Sequence, residues 1–473
     1  MPTAPPTLQV HPDRLLPPEP HLRAIARRLY DAVRLLPIIS PHGHVDAGVL
    51  ADDLPFADPA SLLVSPDHYV TRLLHAQGVP LAELGVGAGR LGEQQARRAW
   101  RHLCTHWPAF RGTAARYWLE CQLHEIFGVT QRPSAETADE IYDMVDARLA
   151  EDTFRPRALF GQFGIEVLAT TDDPCADLGA HAALEADPQW GGRVIPTFRP
   201  DRLLEPGRPG WGRAVTELGE AAGIDTGDYA GYIAALEARR AHFIEHGATS
   251  SDHSHLDVRA EPLEEREAAG LYAAALAGTV TPGEATAFRR HMTMEMARMS
   301  VEDGLVMTLH PAVRRNHHAP TSARFGSDTG HDIPVRAEFT CALQPLLERY
   351  GTHPNLRLVL FTTDESVYSR ELAPLAGFYP SVFVGAPWWF LDAPEAIHRF
   401  RSAVTETAGF TRTSGFIDDT RAFCSIPVRH DMSRRLDSSW LARLVADHRL
   451  AEDEALETIT ELVSVNPRRA FRL

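Results

Sequence analysis

"LPIISPHGHVD", residues 36–46, is the stretch on which the fold turns: a short apolar run, then His42-Gly43-His44 with Asp46 just beyond. Side chains on an extended chain alternate with a period of two, so His42 and His44 leave a strand end on the same side. Two imidazoles on one face suit a borderline divalent ion such as zinc, with a carboxylate completing a site that stays open to water or substrate. The same pair equally suits a polar cap on a buried strand, and the motif alone does not separate the two readings.

Seven more short apolar or β-rich runs come after it, separated by helical patterns, which is the signature of βα units around a parallel sheet. They fall near 165–171, 193–198, 247–252, 304–310, 356–364, 381–386 and 413–418. With 36–40 the total is eight, the number that closes a (β/α)8 barrel. The sequence therefore predicts an α/β fold, a (β/α)8 TIM-type barrel, as one domain over residues 1–473. Between the first and second runs the pattern is helical throughout, which predicts a helical insertion over 80–160. Helices are also expected at 228–247 and 281–300, where the methionines of "HMTMEMARM" read as core packing.

Composition narrows the function. A 473-residue chain with 44% hydrophobic and 23% charged residues is an ordinary globular protein. Its net charge of −16 argues against nucleic acid or an anionic membrane as partner, since either needs a basic face. No window reaches the length of a membrane-spanning helix and the N-terminus lacks a signal-peptide pattern, so a cytoplasmic protein is expected. Its partner is then a small molecule, with a homo-oligomer left open. Five scattered cysteines without a C-x-x-C pair, Cys104, Cys121, Cys175, Cys341 and Cys424, indicate neither disulfides nor a thiolate zinc site, and are expected to be reduced and buried. All 47 basic residues are arginine. Schiff-base catalysis, a phosphate-binding lysine loop and a carbamylated lysine bridging two metals are thereby excluded.

Strand ends supply the test, because a barrel of this type builds its site at the C-terminal mouth. After the successive runs come His42 and His44; Thr171, Asp172 and Asp173; Arg199; Asp252 with His253 and His255; His310 with Arg314 and Arg315; Asp364; Trp388 and Trp389; and Asp419 with Arg421. "SDHSHLD" offers a second His-x-His, His253 and His255, which spacing alone does not reject. The first pair is favoured by its position after the first strand and by an aspartate after the eighth, which a closed barrel brings alongside. Arg199, Arg315 and Arg421 each follow a strand, and guanidinium forks pair with carboxylate or phosphate. An anionic small substrate is the expectation. In "SPDHYVTRLLHAQGV", Ser65 or Asp67 caps a helix carrying His68 and Tyr69 in its first turn, where pattern alone supports a structural role as readily as a catalytic one. The tryptophans of "GAPWWF" stack on a sugar ring or simply wall the pocket.

Taken together, "PIISPHGHVD", "DHY", "TFRPD", "SDH", "LHPAVRRN", "SDTGHD", "PWWF" and "DDTRAF" resemble, in order and across nearly the whole chain, the uronate isomerases of the amidohydrolase superfamily, the glucuronate isomerase family. The resemblance implies aldose–ketose isomerisation of D-glucuronate to D-fructuronate and of D-galacturonate to D-tagaturonate. It also implies a divalent metal, zinc or else manganese, held by His42, His44 and Asp419. Further positions carry over as contacts to an anionic sugar: His68, Tyr69, Arg199, His310, Arg315, Trp388 and Arg421, with Asp252 at the edge. Moving a proton between C2 and C1 needs an acid, a base and positive charge near the enediolate. Those parts fall to Asp419, to Tyr69 or His68, and to Arg421. The competing reading is a mononuclear metal-dependent hydrolase of the same superfamily, acting on an anionic small molecule.

Overall fold

The computed structural model describes residues 7–473. Three parallel strands, β1 (Ile38–Ser40), β2 (Ile165–Ala169) and β3 (Arg193–Ile195), form one sheet in the order β1-β2-β3. The strands β4 (Ser250–His253) and β5 (Val306–Leu309) begin a second sheet. A two-residue antiparallel pair, β6 (Val313–Arg314) and β7 (Ile333–Pro334), comes next in the chain. Then β8 (Leu358–Leu360) and β9 (Val382–Val384) complete the second parallel sheet in the order β4-β5-β8-β9. Isolated parallel bridges, Asp172 to Phe198 and Phe198 to Ser251, carry the first sheet into the second.

Seven of the eight predicted runs are thus strands of parallel sheets, as an α/β fold requires. The eighth, near 413–418, is reduced to one parallel bridge, Thr413 to Val384. Gly415 takes φ 75°, in the left-handed region, and ends the extended run there. Among the described residues no ladder joins this segment to β1; what joins them is the His44 amide, which donates to the Thr420 carbonyl at 2.9 Å. The small β6–β7 pair is an addition that no periodicity announced.

The period-two alternation of the strands sorts their side chains onto two faces. Ile38, Leu168, Met307, Leu309, Leu358, Leu360, Val382 and Val384 pack outward into the two large helix-lined clusters. Ile39, Val167, Ala169 and Ile195 face inward, as do Val306, Val359 and Phe383. The chain's end fills that interior, where Ala470 and Phe471 join the second inward group and Leu473 packs against both.

Helices wrap the strands. Pro282–Asp303 starts at a capping box of Thr281 and Glu284 and stops at Gly304, φ 84°. Met292, Met294, Met296 and Met299 lie in the core, as expected. Residues 93–149 hold the helices Glu93–Thr105, Ala114–Cys121 and Ala138–Leu149, all lying between β1 and β2. No helix of the described residues is long and apolar enough to cross a membrane. Of the cysteines, all free, Cys104, Cys121 and Cys424 are buried, but Cys341 is exposed on the loop before Gln344–Tyr350 and Cys175 is half-buried, against the expectation.

Candidate active site

The strand ends converge as the alternation requires. His42, directly after β1, is 1% exposed, and its Nε2 stands 3.4 Å from Asp419 Oδ1; His44 Nε2 is 2.9 Å from the same oxygen. Gly43 between them lies close to its neighbours: a Cβ there would be in ordinary contact with the Ala169 carbonyl at 3.4 Å and Asp418 Oδ1 at 3.5 Å. The aspartate pair divides its work. Asp418 turns into the core, where His430 Nε2 lies 3.1 Å from its carboxylate and Arg429 donates to its carbonyl at 2.6 Å. Asp419 takes φ 41°, a left-handed conformation that aspartate, like asparagine, adopts more readily than most residues other than glycine, and presents its carboxylate to the histidines.

His310, at the end of β5, completes the cluster. Its ring stacks on His42 with centroids 4.8 Å apart and 22° between planes, and on Phe361 at 4.0 Å. Asp252 Oδ1 holds His310 Nδ1 at 2.6 Å and accepts from Thr308 Oγ1 at 2.9 Å, while its other oxygen faces Arg199 Nη1 at 3.4 Å. His42, His310 and Asp419 then offer one ligand atom each within 4.8 Å of one another. His310 Nε2 is buried without a hydrogen-bond partner, and Asp419 Oδ1 is buried facing only the two imidazole nitrogens. Imidazole nitrogens and a carboxylate oxygen left in that state form a donor set that fits a divalent cation. The sequence proposed His42, His44 and Asp419; the group within 4.8 Å has His310 in it, with His44 Nε2 beside Asp419 at 2.9 Å.

Charge agrees with that chemistry. Burial alone would raise the Asp419 carboxyl, yet His44 and His42 hold it well below the usual carboxylate range. Burial likewise opposes ionisation of Asp252, but His310 and Arg199 pull it well below its ordinary value. Burial lowers His44 and His310 and favours their neutral forms, which can donate a lone pair. His42 is the exception: burial opposes its charge, but the Asp252 and Asp419 carboxylates raise it.

Above this cluster lies a cavity lined by His44 and Asp419, by Trp388 and Trp389, and by Arg199, Arg315 and Arg421; the Arg315 guanidinium lies 5.0 Å from the Trp389 ring. His68 and Tyr69 enter from the helix His68–Ala76, which Asp67 caps by accepting from the Tyr69 amide at 2.8 Å. Ser65 instead donates to the Leu84 carbonyl. The rings of His68 and Tyr69 stack at 4.5 Å, and burial drives the His68 imidazole down to about 3, so it is neutral at ordinary pH. Arg315, not Arg314, lines the cavity; Arg314 is exposed.

Some predicted strand-end residues stay out. His255 Nδ1 pairs with Glu205 at 2.7 Å, and His253 Nδ1 lies 3.1 Å from the Thr308 carbonyl, so the second His-x-His joins other networks. Asp364 accepts from the Ser366 amide and hydroxyl at a turn, and Asp46 accepts from the Gly48 amide as a helix cap. One charged cavity residue went unassigned in the sequence: Asp328, within "SDTGHD", whose two oxygens meet Arg315 Nη1 at 3.2 Å and Arg421 Nη2 at 2.9 Å.

Parallel strands ending in a His/Asp group able to hold a cation, beneath a cavity with three guanidinium groups, define the class: an α/β fold with a polar cavity at its strand ends. Over residues 21–471 the chain matches the family model described as glucuronate isomerase. It is 54% identical over 468 residues to a uronate isomerase of Cutibacterium acnes, covering 99% of each chain. Among solved structures it superimposes on glucuronate isomerase from Caulobacter crescentus with a TM-score of 0.96, at 47% identity and 99% and 98% coverage of the two chains. On uronate isomerase from Thermotoga maritima the TM-score is 0.92, at 28% identity and 98% and 99% coverage. The chain belongs to the glucuronate isomerase family, and as a member of it this protein is an isomerase.

Proposed function

We propose that the protein interconverts D-glucuronate with D-fructuronate, and D-galacturonate with D-tagaturonate, by proton transfer through an enediolate. The observation that carries this reading is the pairing of the buried His42, His310 and Asp419 group with three arginines across one cavity. Such a cavity takes a carboxylate at one end of a sugar and develops negative charge at the other.

The residues that would hold the metal are His42, His44 and Asp419, with His310 next to them, and zinc or manganese suits nitrogen and carboxylate donors alike. When bound, the cation supplies positive charge for the carbonyl and enediolate oxygens. Arg199 and Arg315 hold the C6 carboxylate and so fix which carbon faces the acid–base groups. Arg421 faces O1 and O2, where the charge develops. Asp419 moves the proton, and Tyr69 or His68 assists ring opening as its partner; neutral His68 serves there as acceptor or donor without carrying charge. Trp388 walls the sugar, and Asp252 keeps His310 and Arg199 in place.

Three coarser features complete the proposal. The strand series closes as a single-domain (β/α)8 barrel, supported by the His44 to Thr420 bond across the gap. Residues 80–160 form a helical insertion in it. The protein works in the cytoplasm, on small anionic sugars rather than nucleic acid or membrane.

The test is a coupled ketose assay on both sugars, before and after chelation, with zinc or manganese restored. Ketose formation lost on chelation and regained with metal supports the reading; no ketose from either sugar by metal-loaded protein sinks it. Solvent deuterium must also enter the product, because an intramolecular hydride shift would leave it unlabelled.

A further inference from the structure

Asp328 stands where a bound uronate needs to be. Its Oδ1 faces Arg315 Nη1 at 3.2 Å and its Oδ2 faces Arg421 Nη2 at 2.9 Å, so one carboxylate spans two of the three cavity arginines. Burial opposes its charge, but Arg421, Arg315 and Arg199 lower it below the ordinary carboxylate value. Arg315 already has a fixed partner in the buried Asp332, whose Oδ2 is 3.1 Å from the same Nη1 and whose Oδ1 accepts from the Asn316 amide at 2.6 Å. Arg315 Nη2 also donates to Ser254 Oγ at 2.8 Å. Asp328 is the loose partner: its side chain is 40% exposed against 1% for Asp332.

The backbone around it is held by few bonds. Asp328 takes φ 60° between Gly326 at 82° and Gly330 at 91°, so three of five successive residues occupy the left-handed region. Among the described residues, no backbone hydrogen bond ties 327–330 to their surroundings. The segment lies inside the connection from β6 to β7, whose two-residue pairing pins both ends.

We propose that Asp328 is a specificity-determining residue that a uronate must displace: a built-in competitor that yields Arg315 to the substrate carboxylate and Arg421 to O1 and O2. Carboxylate then replaces carboxylate at Arg315, and the cost of breaking that pair is returned by the new one. A neutral aldose reaches Arg421 but offers no such exchange at Arg315, and would have to leave Asp328 in place or break its pair with Arg315 without return. The selectivity for uronates thus comes from what the empty cavity already holds as well as from what it lacks. The inference rests on the reading of Arg315 as a carboxylate contact.

L-Gulonate, the product of reducing the C1 aldehyde of D-glucuronate, keeps the carboxylate and cannot isomerise, so its binding to metal-loaded protein can be measured by calorimetry. Asp328→Asn suits the test, because asparagine tolerates the left-handed backbone; an unchanged thermal midpoint confirms that it folds. The variant is expected to bind L-gulonate at least threefold more tightly than the unsubstituted protein. In an Arg315→Gln background, where one of the two ion pairs is already gone, the same substitution is expected to tighten L-gulonate binding by less. Unchanged or weaker binding by Asp328→Asn overturns the proposal. So does a gain undiminished in the Arg315→Gln background, which would make Asp328 a fixed charge. If Arg315→Gln leaves L-gulonate affinity unchanged, it is the anion reading itself that fails.

Discussion

Asp252 Oδ1 lies 2.6 Å from His310 Nδ1, and that contact decides which nitrogen of His310 faces His42 and Asp419. An imidazole bonded at Nδ1 to a carboxylate is fixed in tautomer and orientation, and its Nε2 is the more basic for it. Asp252→Asn should therefore lower metal affinity by roughly 10–100-fold, measured by chelator competition with zinc. Metal affinity equal to that of the unsubstituted protein would show that Asp252 serves only to neutralise Arg199.

In the proposed reaction Asp419 is the residue on which both cation binding and proton transfer depend. Asp419→Asn keeps the size of the side chain and its left-handed backbone, which asparagine adopts readily. Turnover is expected to fall by about 10³-fold or more, with circular dichroism and thermal midpoint little changed. Substantial retained turnover in purified protein, with metal content verified, would remove Asp419 from the mechanism.

Most of the strand ends were legible because a buried parallel strand writes itself as a short apolar run, and the residues just past its end are polar only for a reason. His42 and Asp419 were found that way, and so were the cavity arginines. His310 was read as a substrate contact from its place after a strand; its neighbourhood with His42 and Asp419, and its bond to Asp252 across the β4–β5 pairing, are encoded in no local pattern. Asp328 escaped for a different reason. It lies in a loop with no period of either kind, and its partners Arg315 and Arg421 are 13 and 93 residues away in the chain. The eighth run misled in length, since Gly415 breaks the strand that the apolar pattern promised.

Phe471 shows how the chain's end supports the site from below. It is fully buried against the inward faces of the strands, in the group that includes Val306, Val359 and Phe383. Phe471→Ala leaves a cavity that rigid strands close poorly, and the expected cost is about 3–5 kcal/mol. Denaturant unfolding followed by fluorescence measures it; a loss under about 1 kcal/mol would mean that the interior repacks.

Asp392 gives the protein a stability that depends on pH. Its carboxyl is 3% exposed, and burial pushes it up to about 7, with Arg429 working against the rise and Asp418 and Asp419 adding to it. An unfolded chain ionises this group near its ordinary value of 3.8. Below that value both states carry the proton and the contribution to stability is whole. Between there and pH 7 the unfolded state gives up the proton while the folded state keeps it, so stability falls by up to roughly 1.4 kcal/mol per pH unit. Above pH 7 the loss is complete and the contribution is flat. Asp392→Asn removes the titration, whatever the fixed change in its contact with Arg429. Midpoints of thermal unfolding for both proteins at pH 5, 6, 7 and 8 should therefore show the variant gaining on the unsubstituted protein from pH 5 to 7 and then running parallel to it. A difference that stays constant from pH 5 to 7 would mean that Asp392 is already ionised in the folded protein, held there by Arg429.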